Sequence, residues 1–504
     1  MGRQLLAIYN CNSADISAVP RLSINDFRNT IISKVDENLR IVSLFGVPQT
    51  DEIIQLIVVL ADDRQGILYL TSAEVAGSYQ SLTPDCPQAH WFEREIAEQY
   101  GIIPQGHPWL KPIRFHNSYT SKDAWNRSSD MIRPGITDFF RVEGKEIHEV
   151  SVGPVHAGII EPGHFRFQCN GENVLHLEIS LGYQHRGIER QMKGAACNRW
   201  LQYMQTAAGD TTIGHTLAHC SVLEALAGCS IPVRAQVLRG IALELERLAN
   251  HTGDLGALAG DIGYLPTSSF CGRIRGDFLN MTAILCGNRF GRNFLKPGGT
   301  IYDLDSKHID DLRLRLKAGL KDVENAANCL WTTPTVLSRF EDTGVLAKET
   351  AKELGLVGPA ARACGLDYDC RYNFASGIYQ FQQVPVATWH SGDVFARAYV
   401  RWLEIQHSAE FILNQLDTIP DGSISVNTKQ ITADKIAIAM TEGWRGEICH
   451  IALTNSKGEI SHYKVVDPSF HNWMGLAVVL RNQQISDFPL CNKSFNLSYC
   501  GHDL

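Results

Sequence analysis

The sequence lacks three patterns that would each indicate a common class of protein. It has no run approaching the ~20 apolar residues that a membrane-spanning helix requires. Its 14 cysteines are scattered, and none forms a CxxC pair that could belong to a structural zinc site. Its formal net charge of -8 opposes the basic surface that nucleic-acid binding needs. We therefore expect no spanning helix, no zinc ribbon and no nucleic-acid partner.

The composition is that of an ordinary globular protein. Hydrophobic residues make up 44% of the 504 residues and charged residues 20%. At roughly 150 residues per domain, this length predicts two to four domains. The cysteines are expected to be reduced thiols that serve mostly as small core residues.

The first part of the chain mixes helix and strand signals. Residues 26–35 and 89–101 predict helices, the second one ending at Gly101. Residues 52–61 and 66–71 predict strands. These signals indicate a small α/β domain over residues 1–115, followed by a polar linker over residues 116–150.

From residue 151 the patterns become mostly helical. Two short strands are predicted around a turn at Gly171. Apolar spacing typical of helices then recurs at residues 187–254, 305–330, 343–354 and 394–416, and strand signals return at 448–454 and 462–466. The sequence therefore predicts a second, mostly helical domain with small β-sheets over residues 151–504, and an α+β fold class overall.

Long motifs resemble known respiratory subunits. The segment from Tyr79 to Ile102, continuing to Gly106-His-Pro, resembles the thirty-kilodalton subunit of complex I. The segments Val152–Phe167 and Leu181–Glu189 resemble the large subunit of group 4 NiFe hydrogenases, which is similar to the forty-nine-kilodalton subunit of complex I. A fusion of the two resembles the large subunits of the hydrogenase-4 and formate hydrogenlyase type. The resemblance implies the same two folds here.

The resemblance also locates a metal site. Active members hold nickel with four thiolates from two CxxC motifs, because soft sulfur ligands suit this metal. The first motif has the form CGxCxxxH, and the matching residues here begin at Ala208. Ala208 and Thr211 stand at the two cysteine positions, whereas the histidine is kept as His215.

The second motif is also incomplete. Leu497 and Cys500 stand at its two cysteine positions, and a register shifted by one would place Ser498 and Gly501 there instead. One thiolate cannot enclose a nickel–iron centre, so we expect no metal on this chain. The chain resembles the energy-converting hydrogenase-related complexes, which keep the architecture and lose the cysteines.

The corresponding cleft of complex I binds a quinone headgroup through a histidine and a tyrosine. By resemblance, His164 and Tyr203 match these donors. Proton-coupled reduction of a carbonyl needs such donors within about 3 Å of the oxygen. Asp210 is expected to lie two helical turns beyond Tyr203 and to orient His215 or His164. The alternative is a polar loop whose histidines satisfy backbone groups.

The resemblance implies partners as well. Arg186 and Glu189 lie in the LGYxHRGxE motif that lines the contact with a small iron–sulfur subunit. We expect the cluster to belong to that partner and no cofactor to be held by this chain. A ferredoxin-like subunit and membrane subunits of the complex I or antiporter type complete the expected assembly, with this chain peripheral on the cytoplasmic face of the cytoplasmic membrane.

Three hypotheses about function stay open from the sequence. The first is the large subunit of an ion-translocating oxidoreductase complex with a degenerate NiFe site and a quinone-like acceptor cleft. The second is an active hydrogenase with unusual ligation. The third is a non-catalytic scaffold that couples a redox arm to a membrane arm.

Overall fold

A computed structural model describes residues 4–128, 132–156, 160–195, 197 and 199–504. The motif residues 157–159 lie outside these ranges. The chain folds into helices and several small separate sheets, which confirms the predicted α+β class. None of the helices in the described ranges is long and apolar enough to cross a membrane.

The strands form five sheets of two to five strands each. In chain order they are β1 (Leu6–Ile8), β2 (Asn12–Asp15), β3 (Arg21–Leu22), β4 (Arg40–Pro48), β5 (Ile53–Asp62), β6 (Ile67–Ala76), β7 (Ser78–Gln80), β8 (Ile103–Gln105), β9 (Ile147–Val152), β10 (His164–Asn170), β11 (Asn173–Ser180), β12 (Leu295–Lys296), β13 (Gly299–Thr300), β14 (Lys435–Gly443), β15 (Gly446–Thr454) and β16 (Ile460–Val466).

The helices lie mostly in the second half of the chain. In chain order they are α1 (Ile24–Asp36), α2 (His90–Tyr100), α3 (Ile188–Gln191), α4 (Arg199–Gln205), α5 (Thr212–Ala227), α6 (Val233–Asp261), α7 (Leu265–Cys286), α8 (Ser306–Thr332), α9 (Pro334–Phe340), α10 (Lys348–Glu353), α11 (Gly358–Arg362), α12 (Cys370–Asn373), α13 (Val394–Thr418), α14 (Pro468–Val479), α15 (Phe488–Phe495) and α16 (Tyr499–Asp503).

The first sheet has the strand order β1-β6-β5-β4, with β3 pairing in parallel beside β6. Helices α1 and α2 pack on it. Helix α1 begins at Ser23, whose hydroxyl accepts from the Asp26 amide, and α2 ends at Gly101 with a φ of 69°. Both helices and strands β5 and β6 agree with the sequence patterns.

One predicted helix is too long. The pattern predicted a helix over residues 343–354, but only Lys348–Glu353 is helical. Gly344 has a φ of 60°, and the backbone of Leu346 bonds to Gly392 rather than to its own turn. Tertiary contacts with the start of α13 therefore override the local periodicity.

The four-stranded sheet joins the two ends of the described chain. Its order is β16-β15-β14-β2, and β2 pairs antiparallel with β14 in the register Asp15↔Lys435 to Asn12↔Ile438. Asn10 extends this pairing with its side chain. Its Nδ2 donates to the Met440 carbonyl at 3.0 Å and its Oδ1 accepts from the Met440 amide at 2.7 Å. Residues of the predicted first domain thus complete a sheet of the second.

Buried ion pairs join the same two regions. Arg40 Nη1 donates across the two regions to Glu447 Oε1 at 2.9 Å, while its Nε donates to Asp63 Oδ2 of its own region at 2.8 Å. Lys464 Nζ lies 2.6 Å from Glu95 Oε1 on α2. Each side chain is at most 9% exposed, so the pairs hold the regions in one geometry.

Replacing Asn10 with alanine is expected to destabilise the chain. The Met440 amide and carbonyl would lose their partners, which costs about 1–3 kcal/mol for each buried group left unsatisfied. Thermal unfolding of the purified chain measures the effect. Asn12→Ala is the matched control, because Asn12 is exposed on β2 and makes no side-chain hydrogen bond among the described residues. Equal melting temperatures for the two variants would contradict the prediction.

Candidate functional site

Three segments converge at the positions where the resemblance locates a metal. They are the loop before α5, the turn between β14 and β15, and the segment that begins at Asn496. We call their meeting point the Arg445 site, defined by Asp210, Thr211, Arg445, Asn496 and Cys500.

Arg445 bridges two of these segments. Its Nη1 and Nη2 donate to the two carboxylate oxygens of Asp210 at 2.5 and 2.7 Å. Its Nε donates to the Asn496 carbonyl at 2.5 Å. Its guanidinium also lies 3.9 Å from the ring centroid of Trp444. One planar cation therefore ties the loop before α5 to the backbone next to Leu497.

The Thr211 hydroxyl has three hydrogen-bond partners. It donates to Asp210 Oδ1 at 3.1 Å and accepts from Trp444 Nε1 at 3.1 Å and from Arg445 Nη1 at 3.2 Å. Burial acts to raise the pKa of the neighbouring Asp210 carboxyl, but the charge and hydrogen bonds of Arg445 outweigh it and hold that pKa below its ordinary value. The site is a closed ion pair rather than an open ligand set.

Cys500 is a buried thiol. Its Sγ lies 3.4 Å from the Ser498 hydroxyl, which also accepts from the Gly501 amide at the start of α16. Burial raises the pKa of the Cys500 thiol to about 11, and the nearby Glu161 carboxylate adds to the rise. The thiol is therefore protonated at neutral pH, whichever register of the motif is chosen.

The other two positions carry no donor atoms. Ala208 and Leu497 are both buried hydrocarbon, 0% and 4% exposed. Across the described ranges, no group of three or more His, Cys, Asp or Glu side chains is arranged to hold a metal ion. A metal held by four thiolates needs deprotonated sulfur on two segments. The residues of the Arg445 site do not fit that group.

His215 is oriented by a different residue from the one predicted. Its Nε2 lies 2.9 Å from Asp467 Oδ2 and its Nδ1 lies 3.1 Å from His450 Nε2, and all three side chains are buried. Asp210 faces Arg445 instead. The expected position of Asp210 was also wrong, because α4 ends at Gln205 and Asp210 lies in the following loop. Asp467 therefore takes the orienting role.

Glu246 supports the start of α5. Its carboxylate oxygens accept from the Ile213 amide at 2.7 Å and the Gly214 amide at 3.1 Å, which are amides that the helix itself leaves unpaired. Burial raises the pKa of Glu246 to about 8, although these two amides act against the rise. This carboxyl changes protonation state in the neutral range.

His164 and Tyr203 lie outside this cluster. His164 Nδ1 donates to the Gly153 carbonyl at 3.2 Å, and its Nε2 accepts from Arg166 at 3.3 Å. Tyr203, on α4, is half-buried against a separate apolar cluster. Among the described hydrogen bonds, neither residue contacts Arg445. The structure brings Asp210 and His215 into one neighbourhood but does not join His164 and Tyr203 to them.

The two residues predicted at a subunit contact are held within the chain. Arg186 donates to the Thr206 carbonyl at 2.6 Å and the Cys500 carbonyl at 3.0 Å, and it is exposed. Glu189 is buried and lies 3.0 Å from Lys464. Their role towards a small subunit stays a prediction.

Sequence reasoning missed Arg445 and Asp467. A signal existed for the first of them. Glu442-Gly-Trp-Arg-Gly-Glu447 places a Trp–Arg pair between two glycines, at a hairpin turn between apolar strands. No local pattern marks Asp467, because it bonds to His215 on α5 from a distant part of the chain.

Comparison with known families matches two parts of the chain. Residues 26–126 match the respiratory-chain NADH dehydrogenase 30 kDa subunit, and residues 261–439 match the 49 kDa subunit.

Individual relatives cover more of the chain. The carbon monoxide-induced hydrogenase of Rhodospirillum rubrum is 30% identical over 350 residues, which is 69% of this chain and 97% of that protein. Formate hydrogenlyase subunit 5 of Escherichia coli K12 is 29% identical over 438 residues, covering 84% of this chain and 76% of that protein.

A solved structure of similar fold comes from an archaeal respiratory membrane complex, the membrane-bound sulfane sulfur reductase. It superposes with a TM-score of 0.67 at 22% identity, covering 71% of this chain and 99% of that one. At this identity the similarity concerns the fold alone.

Replacing Arg445 with glutamine is expected to cost about 1–2 kcal/mol of stability, because it removes a bidentate partner from the Asp210 carboxylate, whose side chain is 35% exposed and therefore partly screened by solvent. Arg273→Gln is the matched control. Arg273 also contacts two carboxylates, but it is 52% exposed, so its loss should cost about 0–1 kcal/mol. Urea unfolding of the purified chain measures both variants, and similar losses would count against the bridge.

Replacing Glu246 with glutamine is expected to change how stability depends on pH. An unfolded glutamate titrates near pH ~4.3. Between that pH and about 8, the folded wild type binds more protons than the unfolded chain, so its stability falls as pH rises, by at most about 1.4 kcal/mol per unit. Glutamine does not titrate, so the variant does not lose stability in this way as pH rises.

The measurement compares urea midpoints of the two proteins between pH 5.5 and 7.5, about the range set by the two pKa values. The stability of the variant relative to the wild type should increase steadily as pH rises. Glu410→Gln, an exposed position on α13, serves as the control. A constant difference between wild type and Glu246→Gln would show that Glu246 does not titrate here.

Proposed function

Because the chain belongs to the family of membrane-bound hydrogenase large subunits and their complex I counterparts, with a second complex I subunit domain fused to it, we propose that it is the large subunit of a membrane-associated, ion-translocating oxidoreductase complex whose nickel–iron site is degenerate. Electrons would reach it from an iron–sulfur cluster in a small partner subunit. A ferredoxin-like subunit and antiporter-type membrane subunits would complete the complex, on the cytoplasmic face of the membrane.

The bridge made by Arg445 is the observation that carries this proposal. Its three hydrogen-bonding nitrogens already have acceptors on Asp210 and Asn496, and they occupy the gap between the two segments that would supply thiolates. A metal there would have to displace a buried guanidinium from its carboxylate and carbonyl acceptors. The energy of breaking such a pair opposes metal entry.

The second hypothesis, an active hydrogenase with unusual ligation, needs donors that the site does not offer. The Thr211 hydroxyl has three polar neighbours already, and the Cys500 thiol is protonated. Deprotonating a thiol with a raised pKa adds a further cost to metal binding.

The quinone-like acceptor stays a prediction of the resemblance. Both ring nitrogens of His164 have partners in the chain, so a quinone oxygen would have to replace one of them. The scaffold hypothesis draws on the buried hydrocarbon at Ala208 and Leu497. The quinone and scaffold hypotheses differ in one respect, because only the quinone hypothesis requires the complex to pass electrons to a bound acceptor.

Metal analysis of the intact complex tests the proposal. Nickel and iron are quantified by mass spectrometry after purification from cells grown with added nickel. We expect iron from the partner clusters and nickel far below one atom per chain, because the chain offers a single protonated thiol where four thiolates are needed. Stoichiometric nickel that survives gel filtration would overturn the proposal. Screening donors and acceptors with the same preparation separates a redox complex from a scaffold.

A further inference from the structure

A continuous row of hydrogen-bonded side chains leaves the Arg445 site through the core. We call it the imidazole chain. Its members, in spatial order, are Asp467, His215, His450, Tyr463 and His219. Every one of them is at most 1% exposed.

The four links are all within hydrogen-bonding distance. His215 Nε2 lies 2.9 Å from Asp467 Oδ2, and His215 Nδ1 lies 3.1 Å from His450 Nε2. His450 Nδ1 lies 2.9 Å from Tyr463 Oη, and His219 Nδ1 lies 2.8 Å from the same oxygen. No link needs an intervening water.

Regular secondary structure aligns the members. His215 and His219 are four residues apart on α5, so they face the same side of the helix. His450 lies on β15, and Tyr463 lies on the adjacent strand β16, two residues from the direct cross-strand partner of His450. The rigid elements thus hold the rings in line.

The carboxylate of Asp467 fixes the direction of the chain. It can only accept, so His215 carries its proton on Nε2 and accepts at Nδ1. His450 must then donate from Nε2 and accept at Nδ1 from the Tyr463 hydroxyl. The Tyr463 oxygen in turn accepts from His219 Nδ1. Each ring carries one proton in this tautomer arrangement, and only His219 Nε2 is left as a bare acceptor.

The two ends of the chain have different surroundings. His219 Nε2 has no hydrogen-bond partner in the described part of the protein, and His219 is among the residues that line a cavity of about 560 Å³ together with Trp200, Leu223 and Lys296. Asp467 packs against Gly501, where an added Cβ would come within 2.7 Å of the carboxyl carbon. That end therefore adjoins Cys500 and the Arg445 site.

We propose that the imidazole chain is a proton wire that leads from the cavity at His219 to Asp467 beside the Arg445 site. The proposal rests on the redox role proposed above, since reduction of an acceptor by the complex takes up protons together with electrons.

The transfer balances with one proton and no electrons. A proton binds to His219 Nε2, and the His219 Nδ1 proton moves to the Tyr463 oxygen. The former hydroxyl proton moves to His450 Nδ1, the His450 Nε2 proton moves to His215 Nδ1, and the His215 Nε2 proton moves to the Asp467 carboxylate. One positive charge moves from His219 to Asp467. Each imidazole is left with its proton on the other ring nitrogen until the rings return to their original tautomers.

The lowered pKa values of the buried rings prevent a proton from being retained on them. Burial lowers the pKa of His219 to about 3 and holds the pKa of His450 well below its ordinary value. A proton therefore does not settle on these rings at neutral pH. Burial acts to raise the pKa of Asp467, but its bond with His215 outweighs this and lowers it. Asp467 is therefore ionised at neutral pH and holds a relayed proton only transiently.

Ring-nitrogen NMR of the full chain, labelled with 15N-histidine, tests the wire. Signals of His215, His219 and His450 are assigned from single His→Gln variants. We expect protons on Nε2 of His215 and His450 and on Nδ1 of His219 at neutral pH. Transfer to D2O then reports how fast the His215 ring proton exchanges with solvent.

Tyr463→Phe removes the oxygen that passes the proton, so the ring protons of His215 and His450 should exchange about tenfold or more slowly. Tyr379→Phe is the matched control, because Tyr379 is a buried tyrosine whose hydroxyl donates to Glu244 elsewhere in the core. It should leave the exchange at His215 unchanged.

Unchanged exchange in folded Tyr463→Phe would overturn the wire, because a purely structural cluster predicts that result. A proton on His219 Nε2 in the wild type would overturn it equally, and this measurement needs no variant to fold. The metal analysis and the ring exchange are independent, so the proposed function and the wire can fail separately.

Discussion

The ion pair between Arg445 and Asp210 is the interaction on which the centre of this protein depends. In a metal-containing relative, bonds from sulfur to metal would hold two distant segments together. Here two charge-assisted hydrogen bonds and one bond to a carbonyl join the loop before α5 to the backbone at Asn496. The Thr211 hydroxyl accepts from both Arg445 and the Trp444 indole, which adds partners to the pair.

The pair is positioned by a second layer of buried charge. Arg247 Nη2 and Nη1 donate to the carbonyls of Glu442 and Gly443 at 2.6 and 3.0 Å, which fixes the turn that presents Arg445. Arg247 is itself held by Glu244 on the same helix, with 3.0 Å between Nε and Oε2. Burial acts to raise the pKa of Glu404 beside them, but Arg362 and His251 keep it well below its ordinary value. The turn that presents Arg445 is therefore anchored to helix α6 by buried hydrogen bonds.

The sequence was sufficient for the fold and the family but not for the contacts of the site. Alternating and helical patterns predicted strands β5, β10, β11 and β15 and helices α1, α2, α8 and α13, because each has a one-sided or fully apolar period of its own. The pairing of β2 with β14 has no such signal, since it joins residues more than 400 positions apart.

The same contrast holds for the candidate residues. Motif matching led to Thr211, His215 and Cys500, and the structure places these beside Arg445 and Asp467. It could not reveal Arg445 or Asp467 themselves, because these side chains come from segments far from the motifs and are brought there only by the fold.

The pairing of β2 with β14 has a consequence for the synthesis of the chain on the ribosome. A ribosome adds about 5–20 residues per second, so the partner strand emerges roughly 20–90 s after β2 has left the exit tunnel. Through that interval β2 is an open edge that could pair with other nascent chains. Its polar composition, Asn-Ser-Ala-Asp, is poorly suited to such pairing, and this protects the chain while it waits. The hairpin that carries Arg445 is also the one that closes this edge, so the centre and the outermost strand of the sheet are completed in the same late step of synthesis.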